Sequence, residues 1–423
     1  MAWLRAGAQP SGEDIVPHTE AALMTPPHAL VSGASIAGLS AAYWLRRTGW
    51  EVTVIERAPA FRDGGQNVDV RGVAREVLKR MGLFDAVKAL NTTETGAVFV
   101  DGRGRVTAEL PAGPEGATAE LEILRGDFAR AILDRLPPGV EIVYGDTITG
   151  TTEDDGSVTV TTASGRVLRT DLLVVAEGVR SATRDRIFGE LVDRRPLGVN
   201  MVFGTIPRTA GDDDRWRWYS TVGGRQVHLR PDNHGTTRAI LSYPRDEDLA
   251  SLDRDQALAR VRARYAGAGW EAARVLDGFD ASEDVYVDHL TQIRMPTWHR
   301  GRVCLVGDAA WCVTPMGGGG ASLALTSGYV LAAYLSSTDT GPEAGTCTDT
   351  EAALAAYERW MRPLVDSVQK LPPGVVRAAY PRTRIGLAVR TLVVKALTSR
   401  LLAPLTERFT HVAGTDRPLP PIA

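Results

Sequence analysis

Two glycine-rich stretches of this 423-residue chain have the spacing of sites that bind phosphate or another anion. The first, VSGASIAGLS at residues 31–40, places Gly33 and Gly38 at the outer positions of a G-x-G-x-x-G pattern. Ser35 stands where that pattern has its middle glycine; at negative φ it keeps the turn tight, and its hydroxyl can donate to a phosphate oxygen. The second stretch, PMGGGG at 315–320, precedes a run of small residues and predicts a helix whose unpaired N–H groups face an anion.

A carboxylate at a suitable distance from the first stretch indicates which nucleotide binds there. Glu56 ends the apolar segment EVTVIE and lies 18 residues after Gly38 and 23 after Gly33. These distances bracket the roughly 20-residue offset at which an acid meets the ribose hydroxyls. Because a carboxylate repels a 2′-phosphate, the adenosine belongs to FAD or NAD, and NADP is disfavoured at this site. The residues predicted to contact it are Gly33, Ser35, Ile36, Ala37, Gly38 and Glu56.

Asp308 decides between these two dinucleotides. It follows the apolar segment RVCLV, so its carboxylate is expected at the carboxyl edge of a parallel sheet and can accept hydrogen bonds from a polyol. FAD has a ribityl chain for this position and NAD has none. The helix after the second glycine stretch would face the N1 and C2-oxygen edge of a flavin and favour the negative charge gained on reduction. The residues predicted in this part of the site are Asp308, Pro315, Gly317, Gly318, Gly319, Gly320 and Ala321.

The elements that must position these residues indicate an α/β fold with an inserted lobe. A strand from His28, an Ala-rich helix that ends at Gly49 and the strand before Glu56 form the βαβ unit that a dinucleotide turn requires. Residues 139–181 are typical of a strand meander, and 188–283 of an antiparallel sheet in a separate lobe. The predicted domains are a flexible N-terminal extension (1–27), a Rossmann-like FAD-binding domain (28–97, 122–187 and 284–340), a substrate domain (98–121 and 188–283) and a C-terminal helical region (341–423).

Composition and charge argue against several classes of protein. The net charge is −3 with both signs mixed along the chain, so no nucleic-acid partner is predicted. Three cysteines (Cys304, Cys312 and Cys347) and seven histidines lack ligand spacing, so we expect no metal, no disulfide framework and a cytoplasmic location. No signal peptide or membrane span is predicted. A basic amphipathic segment at 381–402 is interpreted as a helix packed across the lobes, in preference to one lying on a membrane. The oligomeric state is left open.

Three spaced signatures together resemble the single-component FAD-dependent aromatic hydroxylases of the para-hydroxybenzoate hydroxylase class, in particular the tetracycline-inactivating and bacterial tailoring monooxygenases. They are VSGASIAGLSAAYWLRRTGWEVTVIER, DLLVVAEGVRSATR and RVCLVGDAAWCVTPMGGGGASLAL, within residues 28–365. The resemblance implies a para-hydroxybenzoate hydroxylase-like FAD-binding fold. It also implies these FAD contacts: Glu56 and Arg57 at the adenosine ribose and nearby phosphate, Arg125 at the linker, Asp308 at the ribityl-pyrophosphate portion, Pro315 and the following glycines at the pyrimidine edge, and Gln66 in the loop 65–68 on a face of the ring.

The activity that the resemblance implies is monooxygenation. NADPH or NADH, docked transiently because no second nucleotide fingerprint is present, would reduce FAD. O2 would then form the flavin C4a-hydroperoxide, which passes one oxygen atom to an aromatic or polyketide-like small molecule. Hydroxylation, epoxidation and Baeyer–Villiger insertion remain open, and no protein residue is assigned as catalytic. The usual Asp-Gly of the middle signature is Glu177-Gly178 here, which leaves the role of Glu177 undetermined.

Two other classes of function remain as alternatives. One is a flavin-dependent halogenase, although Trp216 and Trp218 do not continue into the W-x-W-x-I-P stretch of those enzymes. The other is a non-redox isomerase, cyclase or sensor module in which the dinucleotide is structural. Reduction of a bound flavin by NAD(P)H would distinguish the monooxygenase from the non-redox proteins.

The second lobe supplies the candidate substrate contacts. On the strand RQVHLRP, alternation places Gln226 and His228 on the same face, which can line a pocket or face solvent. Trp216 and Trp218 can stack on a planar ring or pack in a core or interface. The candidate substrate residues are Met201, Phe203, Trp216, Trp218, Gln226 and His228.

Overall fold

The computed structural model describes residues 25–92, 94–111, 121–154, 156–337, 347–397 and 417–422. Residues 1–24 of the predicted N-terminal extension lie outside this range. Parts of the predicted substrate domain and C-terminal region, residues 112–120 and 398–416, also lie outside it.

The described residues form eighteen strands and twelve α-helices, numbered here in chain order. The strands are β1 His28–Ser32, β2 Glu51–Glu56, β3 Asn67–Asp69, β4 Gly96–Val100, β5 Val106–Pro111, β6 Glu122–Leu124, β7 Val140–Tyr144, β8 Ile148–Asp154, β9 Ser157–Thr162, β10 Val167–Thr170, β11 Leu172–Val175, β12 Asp193–Pro207, β13 Trp216–Thr221, β14 Arg225–Pro231, β15 Thr236–Pro244, β16 Tyr286–Arg294, β17 His299–Arg300 and β18 Val303–Leu305. The helices are α1 Ile36–Arg47, α2 Val73–Met81, α3 Phe84–Ala89, α4 Arg125–Asp134, α5 Ala182–Phe188, α6 Arg254–Tyr265, α7 Ala272–Ala281, α8 Asp308–Trp311, α9 Gly320–Ser337, α10 Cys347–Gln369, α11 Val375–Ala379 and α12 Arg384–Leu397.

The first sheet has six strands in the order β17-β18-β11-β1-β2-β7, and all of them except β17 run parallel. Strand β11, LLVV, is buried at every position because it contacts both α1 and β9 of the three-stranded sheet β10-β9-β8. This two-sided burial explains its unbroken apolar run. The order β1, α1, β2 is the predicted Rossmann-like unit.

Helix α9 packs very closely against α1. A Cβ atom built on Gly328 would lie 2.4 Å from the backbone nitrogen of Ala41, so only glycine fits at this crossing. The hydroxyl of Ser40 donates to the Leu325 carbonyl oxygen over 2.6 Å. This contact holds together the two helices that follow the two glycine-rich stretches.

A seven-stranded sheet in the order β16-β12-β15-β14-β13-β4-β5 forms the second lobe. Its neighbouring strands are antiparallel except for β13 and β4, which are parallel. One face packs through Val202, Val227 and Leu241 against α6 and α7. The alternation of RQVHLRP therefore places Gln226 and His228 on the opposite face, as predicted.

The boundary predicted at residue 284 differs from the observed strand pairing. Strand β16 lies in the seven-stranded sheet, where Asp288 pairs with Met201 and Tyr286 with Phe203. The sheet of the second lobe thus extends to Arg294, inside the range predicted for the FAD-binding domain. The physical reason is that the partner of a strand is set by tertiary contacts, which the local sequence YVDHLTQIR does not encode.

The C-terminal helices α11 and α12 cover the second face of the seven-stranded sheet. Gln226 Nε2 donates to the Ala379 carbonyl oxygen over 2.6 Å, and Arg390 Nη1 donates to Ser220 Oγ over 2.6 Å. On α12, the side chains of Ile385 and Leu392 are 79% and 70% exposed, so this helix also presents apolar groups outward. Within the described ranges, no helix is long and apolar enough to cross a bilayer.

Candidate active site

The turn between β1 and α1 brings three backbone segments into contact. Gly33 has a φ of +109°, and its N–H donates to the Ile55 carbonyl oxygen over 2.7 Å. A Cβ atom on Gly33 would lie 2.5 Å from the Ala176 carbonyl oxygen, and one on Gly38 would lie 1.8 Å from the Gly33 oxygen. Only glycine fits at these two positions, because neighbouring backbone atoms occupy the space that a side chain would need. Ser35 has a φ of −104°, so a serine is accommodated at the middle position without strain.

The carboxylate of Glu56 is fixed beside this turn. Its Oε2 accepts a hydrogen bond from the Ala34 N–H over 2.9 Å, and its Oε1 accepts one from the Ala58 N–H over 2.8 Å. The remaining lone pairs of such a carboxylate can accept hydrogen bonds from ribose hydroxyls. A cleft next to it is lined by Ala34, Ser35, Glu56, Ala58, Ala60, Phe61, Arg62, Gly64, Arg125, Gly126, Ala129 and Tyr144.

Arg57 is placed differently from the other residues predicted at the adenosine. It is exposed and does not line the cleft, whereas Arg62 does, with its Nη2 atom 4.0 Å from Glu56 Oε1. Phe61 lines the same cleft, and the guanidinium of Arg130 lies 3.9 Å from the centre of its ring. Sequence reasoning missed Phe61 and Arg62 because the loop after β2 has no periodic pattern from which its path can be predicted.

Arg125, at the start of α4, reaches the first glycine turn. Its Nη2 donates to Ser35 Oγ over 3.1 Å, and its backbone N–H donates to the Gln66 carbonyl oxygen over 2.8 Å. A Cβ atom on Gly126 would lie 1.7 Å from the Asp63 carbonyl oxygen, so this loop lies directly on the first turn of α4. The buried Gln66 Oε1 receives no hydrogen bond from the described residues. It is therefore an acceptor that a ligand N–H group can use.

Gly307, between β18 and α8, packs against the helix that follows the first glycine-rich stretch and has a φ of +59°. A Cβ atom on Gly307 would lie 2.7 Å from the Cβ of Ala37, in the first turn of α1. Asp308 follows directly. Its side chain is exposed to solvent, but it lies in a depression with many protein atoms nearby. Burial among those atoms raises the pKa of Asp308; Arg125 opposes this shift and Asp288 adds to it. Asp308 thus lies in a cleft beside the first turn of α1.

The second glycine stretch forms a tight turn before α9. Thr314 is buried with a φ of +66°, and Gly318 has a φ of +67°. A Cβ atom on Gly317 would lie 2.8 Å from the Val368 carbonyl oxygen. Because α9 begins at Gly320, its first N–H groups are available to an anion near this turn. The contacts predicted in this stretch are exposed or half-buried: Pro315, Gly317, Gly318, Gly319, Gly320 and Ala321.

Glu177 is held entirely by the protein. Its Oε1 accepts hydrogen bonds from Ser32 Oγ at 2.6 Å and Thr183 Oγ1 at 2.7 Å. Its Oε2 accepts from Ser181 Oγ at 2.7 Å and from the Thr183 N–H at 3.0 Å. A carboxylate has about four acceptor positions, and these four bonds use them. Glu177 therefore joins the ends of β1 and β11 to the start of α5.

The six candidate substrate residues lie on the face of the seven-stranded sheet that α11 and α12 cover. Strand register places Phe99, Trp218, His228, Ile240, Phe203 and Tyr286 in one row, and Ser220, Gln226, Ser242, Met201 and Asp288 in the next. Trp216 lies two residues before Trp218 on the same strand and therefore on the same face.

The two tryptophans pack against each other and against neighbours. Their ring centres are 5.2 Å apart with planes 12° from parallel. The guanidinium of Arg230 lies 4.2 Å from the centre of the Trp216 ring, and the Phe99 ring stacks on Trp218 at 5.3 Å. Trp216 Nε1 donates to Nδ1 of His228, and burial lowers the pKa of His228 to about 3. This geometry favours the packing interpretation for both tryptophans over stacking on a ligand.

Met201 and Phe203 lie closer to the second glycine stretch. Both belong to an apolar cluster against which Met316 packs. Phe203 also stacks on Tyr286, with ring centres 4.9 Å apart. Tyr286 and Asp288 were not among the predicted site residues. The segment YVDHLTQIR has no regular apolar and polar alternation, so the sequence offered no clear signal for these two residues.

Comparisons with known proteins identify the family and the fold. A family model described as FAD binding domain matches residues 28–368. The flavin-dependent monooxygenase eupH of Phoma sp is 33% identical, over 86% of this chain and 90% of its own length. The crystal structure of tetracycline destructase Tet(51) is similar with a TM-score of 0.77 at 25% identity, and the match covers 94% of this chain and 99% of that one. Klebsiella pneumoniae HpxO, in a structure with FAD and uric acid, shares the fold with a TM-score of 0.73 at 22% identity, covering 92% and 97% of the two chains.

The residues described above fit FAD. The carboxylates of Glu56 and Asp308 both lie close to the glycine turn that begins α1, and the buried oxygen of Gln66 is an acceptor without a donor in the described part of the chain. The predicted fold class, cofactor and enzyme class are confirmed by the matches. The chain belongs to the FAD binding domain family and is an FAD-dependent monooxygenase.

Proposed function

We propose that FAD lies from Glu56 at one end to the glycines of 315–320 at the other. Glu56 would bind the adenosine ribose, and the first turn of α1, with Ser35 and Arg125, the pyrophosphate. Asp308 would bind the ribityl hydroxyls, and the start of α9 would lie at the pyrimidine edge of the ring. Gln66 Oε1 would accept a hydrogen bond from the cofactor.

The observation that carries this proposal is the contact between Gly307 and Ala37. The carboxyl end of β18 lies against the first turn of α1, which supports the proposal that Asp308 and the first glycine turn bind one ligand. The hydrogen bond from Arg125 to Ser35 Oγ closes the same region from α4. A linear dinucleotide can contact all of these groups at once.

Bound FAD supplies the redox and oxygen-transfer chemistry, with NADPH or NADH as the reductant and O2 as the oxidant. The residues of this chain hold the cofactor, orient the substrate and exclude water. We propose an aromatic or polyketide-like substrate, supported by the apolar cluster of Met201 and Phe203 next to the second glycine stretch and by the similarity to a tetracycline destructase. A cytoplasmic location stays a prediction and agrees with the buried free thiols of Cys304 and Cys312.

The first test measures cofactor content and reduction. Purified wild-type protein should carry FAD that NADPH or NADH reduces without O2 and that air reoxidises. Asp308→Ala should remain folded but lose most of its FAD, while Asp255→Ala, which removes an exposed acid of α6, should keep it. Full FAD content in Asp308→Ala would contradict the assignment of Asp308.

The second test concerns the substrate. Aromatic and polyketide compounds are screened for faster NADPH oxidation, and the products are analysed for a mass gain of one oxygen atom. A compound that speeds NADPH oxidation but yields only hydrogen peroxide is not a substrate, because no oxygen atom has been transferred to it. A flavin that neither nicotinamide can reduce would contradict the proposed reductant.

A further inference from the structure

The carboxylate of Asp288 accepts a hydrogen bond from the backbone N–H of His289, but it has no side-chain partner in the described part of the chain. Among the residues that the structure describes, it forms no ion pair and no hydrogen bond with another side chain. Asp284, four residues earlier, is different: it accepts hydrogen bonds from Thr205 and Ser282, and Arg238 pairs with it at 3.2 Å. Asp288 is half-buried, and the His289 N–H fills only one of the about four acceptor positions of its carboxylate. A further hydrogen-bond donor would offset part of the free energy that burial of this carboxylate costs.

Asp288 lies where the second lobe meets the proposed FAD site. Strand register places it beside Met201, on the face that carries the candidate substrate residues. Tyr286, two residues before it, stacks on Phe203 of the apolar cluster. Helix α8, which begins with Asp308, packs on β16. Asp288 therefore stands between an apolar surface and the carboxylate proposed to bind the ribityl chain.

The charged groups around Asp288 come from three parts of the chain. Asp308 faces it from α8, Arg180 from the segment after β11, and Tyr286 and His289 from its own strand. Burial raises the pKa of Asp288, and Arg180 and His289 oppose that shift. A carboxylate with increased proton affinity is a better proton acceptor than an ordinary aspartate. The neighbouring Arg180 disfavours a second cation at this position.

We propose that Asp288 is a specificity-determining residue whose carboxylate accepts the hydrogen bond of an acidic hydroxyl group, a phenol or an enol, on the substrate. This inference rests on the proposed function. In the accompanying step the substrate O–H bond breaks, its proton moves to a carboxylate oxygen, and the electron pair stays on the substrate oxygen. The resulting phenolate or enolate has a more electron-rich carbon framework, which favours transfer of oxygen to carbon.

The test compares three probes of the same shape. FAD-loaded wild-type protein is titrated with 2-naphthol, 2-methoxynaphthalene and 2-(aminomethyl)naphthalene, and binding is followed by the flavin absorbance. We expect 2-naphthol to bind about tenfold or more tightly than its methyl ether, as expected for a hydrogen bond to a charged group. Asp288→Asn should remove most of that preference. Glu283→Gln, which neutralises an exposed acid on the same segment, should keep it.

A second measurement needs no variant. If Asp288 accepts the proton, 2-naphthol bound to wild-type protein should show the absorption band of the naphtholate at a pH where the free compound is neutral. Binding of neutral naphthol only, failure of wild-type protein to bind 2-naphthol, equal affinity for the ether, tighter binding of the amine, or an unchanged preference in Asp288→Asn would each overturn the proposal.

Failure of this inference can be distinguished from failure of the proposed function. Reduction of the wild-type flavin by NADPH and its reoxidation by air are measured with no naphthalene present. If these steps fail, the proposed function is wrong, whatever the naphthol result. If they occur and the preference for 2-naphthol is absent, only the role of Asp288 is wrong.

Discussion

The indole Nε1 of Trp216 donates a hydrogen bond to Nδ1 of His228 over 3.2 Å. The imidazole proton must then lie on Nε2, which donates to Gln226 Oε1 over 3.1 Å. Trp218 Nε1 donates to the same oxygen over 3.1 Å, and Gln226 Nε2 donates to the Ala379 carbonyl oxygen. One neutral histidine and one glutamine therefore hold both indoles in place and join the sheet to α11.

This arrangement predicts that His228 makes the protein sensitive to acid. Burial lowers its pKa to about 3 in the folded protein, whereas the histidine of an unfolded chain titrates near 6.5. Between these values the unfolded chain binds a proton that the folded chain does not, so stability is lost as the pH falls, by about 1.4 kcal/mol per pH unit. Urea unfolding near neutral pH and at about pH 4.5 should show a smaller acid loss for His228→Gln than for wild type. Equal losses would count against this explanation.

Gly33→Ala should abolish FAD binding. The new methyl group would lie 2.5 Å from the Ala176 carbonyl oxygen, and a φ of +109° is unfavourable for alanine. We expect a fall of about 1–3 kcal/mol in the free energy of unfolding, together with loss of FAD. Gly49→Ala is the matched control, because Gly49 has a φ of +93° but no atom within 4 Å of its added Cβ. If both variants lose FAD equally, steric overlap at the turn is not the cause.

Replacement of Arg62 and replacement of Arg57 should affect the affinity for FAD differently. Arg62 lines the cleft beside Glu56, and Arg57 does not. We expect Arg62→Ala to weaken FAD binding about two- to fivefold, since exposed charge pairs contribute about 1 kcal/mol or less. Arg57→Ala should leave the affinity for FAD within the error of the measurement. The dissociation constants can be measured by fluorescence titration of the apoprotein, and a larger effect at Arg57 would restore the contact that the sequence resemblance implies.

Glu177→Ala should destabilise the fold next to the first glycine turn. It removes the acceptor of four hydrogen bonds, from Ser32, Ser181 and Thr183, and we expect a loss of about 2 kcal/mol or more in the free energy of unfolding. Glu141→Ala, on an exposed part of β7, is the control. Thermal unfolding and the KM for NADPH should be measured together. A raised KM without any fall in Tm would show that Glu177 contacts the nicotinamide and not only the protein.

Sequence spacing could be used to predict those parts of the proposed site whose residues lie close together along the chain. The turn at Gly33 and the carboxylate of Glu56 belong to one short βαβ unit, so their separation along the chain determines their distance in space. Arg62 could not be predicted in this way, because it lies on an irregular loop. The same is true of contacts between distant strands. Alternation placed Gln226 and His228 on one face, but it did not show that the Arg230 guanidinium lies over the Trp216 ring or that Asp288 lies in the same row as Gln226.

The contact of Gly307 with Ala37 joins residues separated by most of the chain. The unit of β1, α1 and β2 is synthesised before the second lobe and contains only one half of the proposed nucleotide site. The other half is synthesised after the whole second lobe, and contacts of such long sequence separation form late and slowly. We therefore expect FAD to be enclosed only after α9 has been synthesised, and a chain that ends before α9 to lose the cofactor.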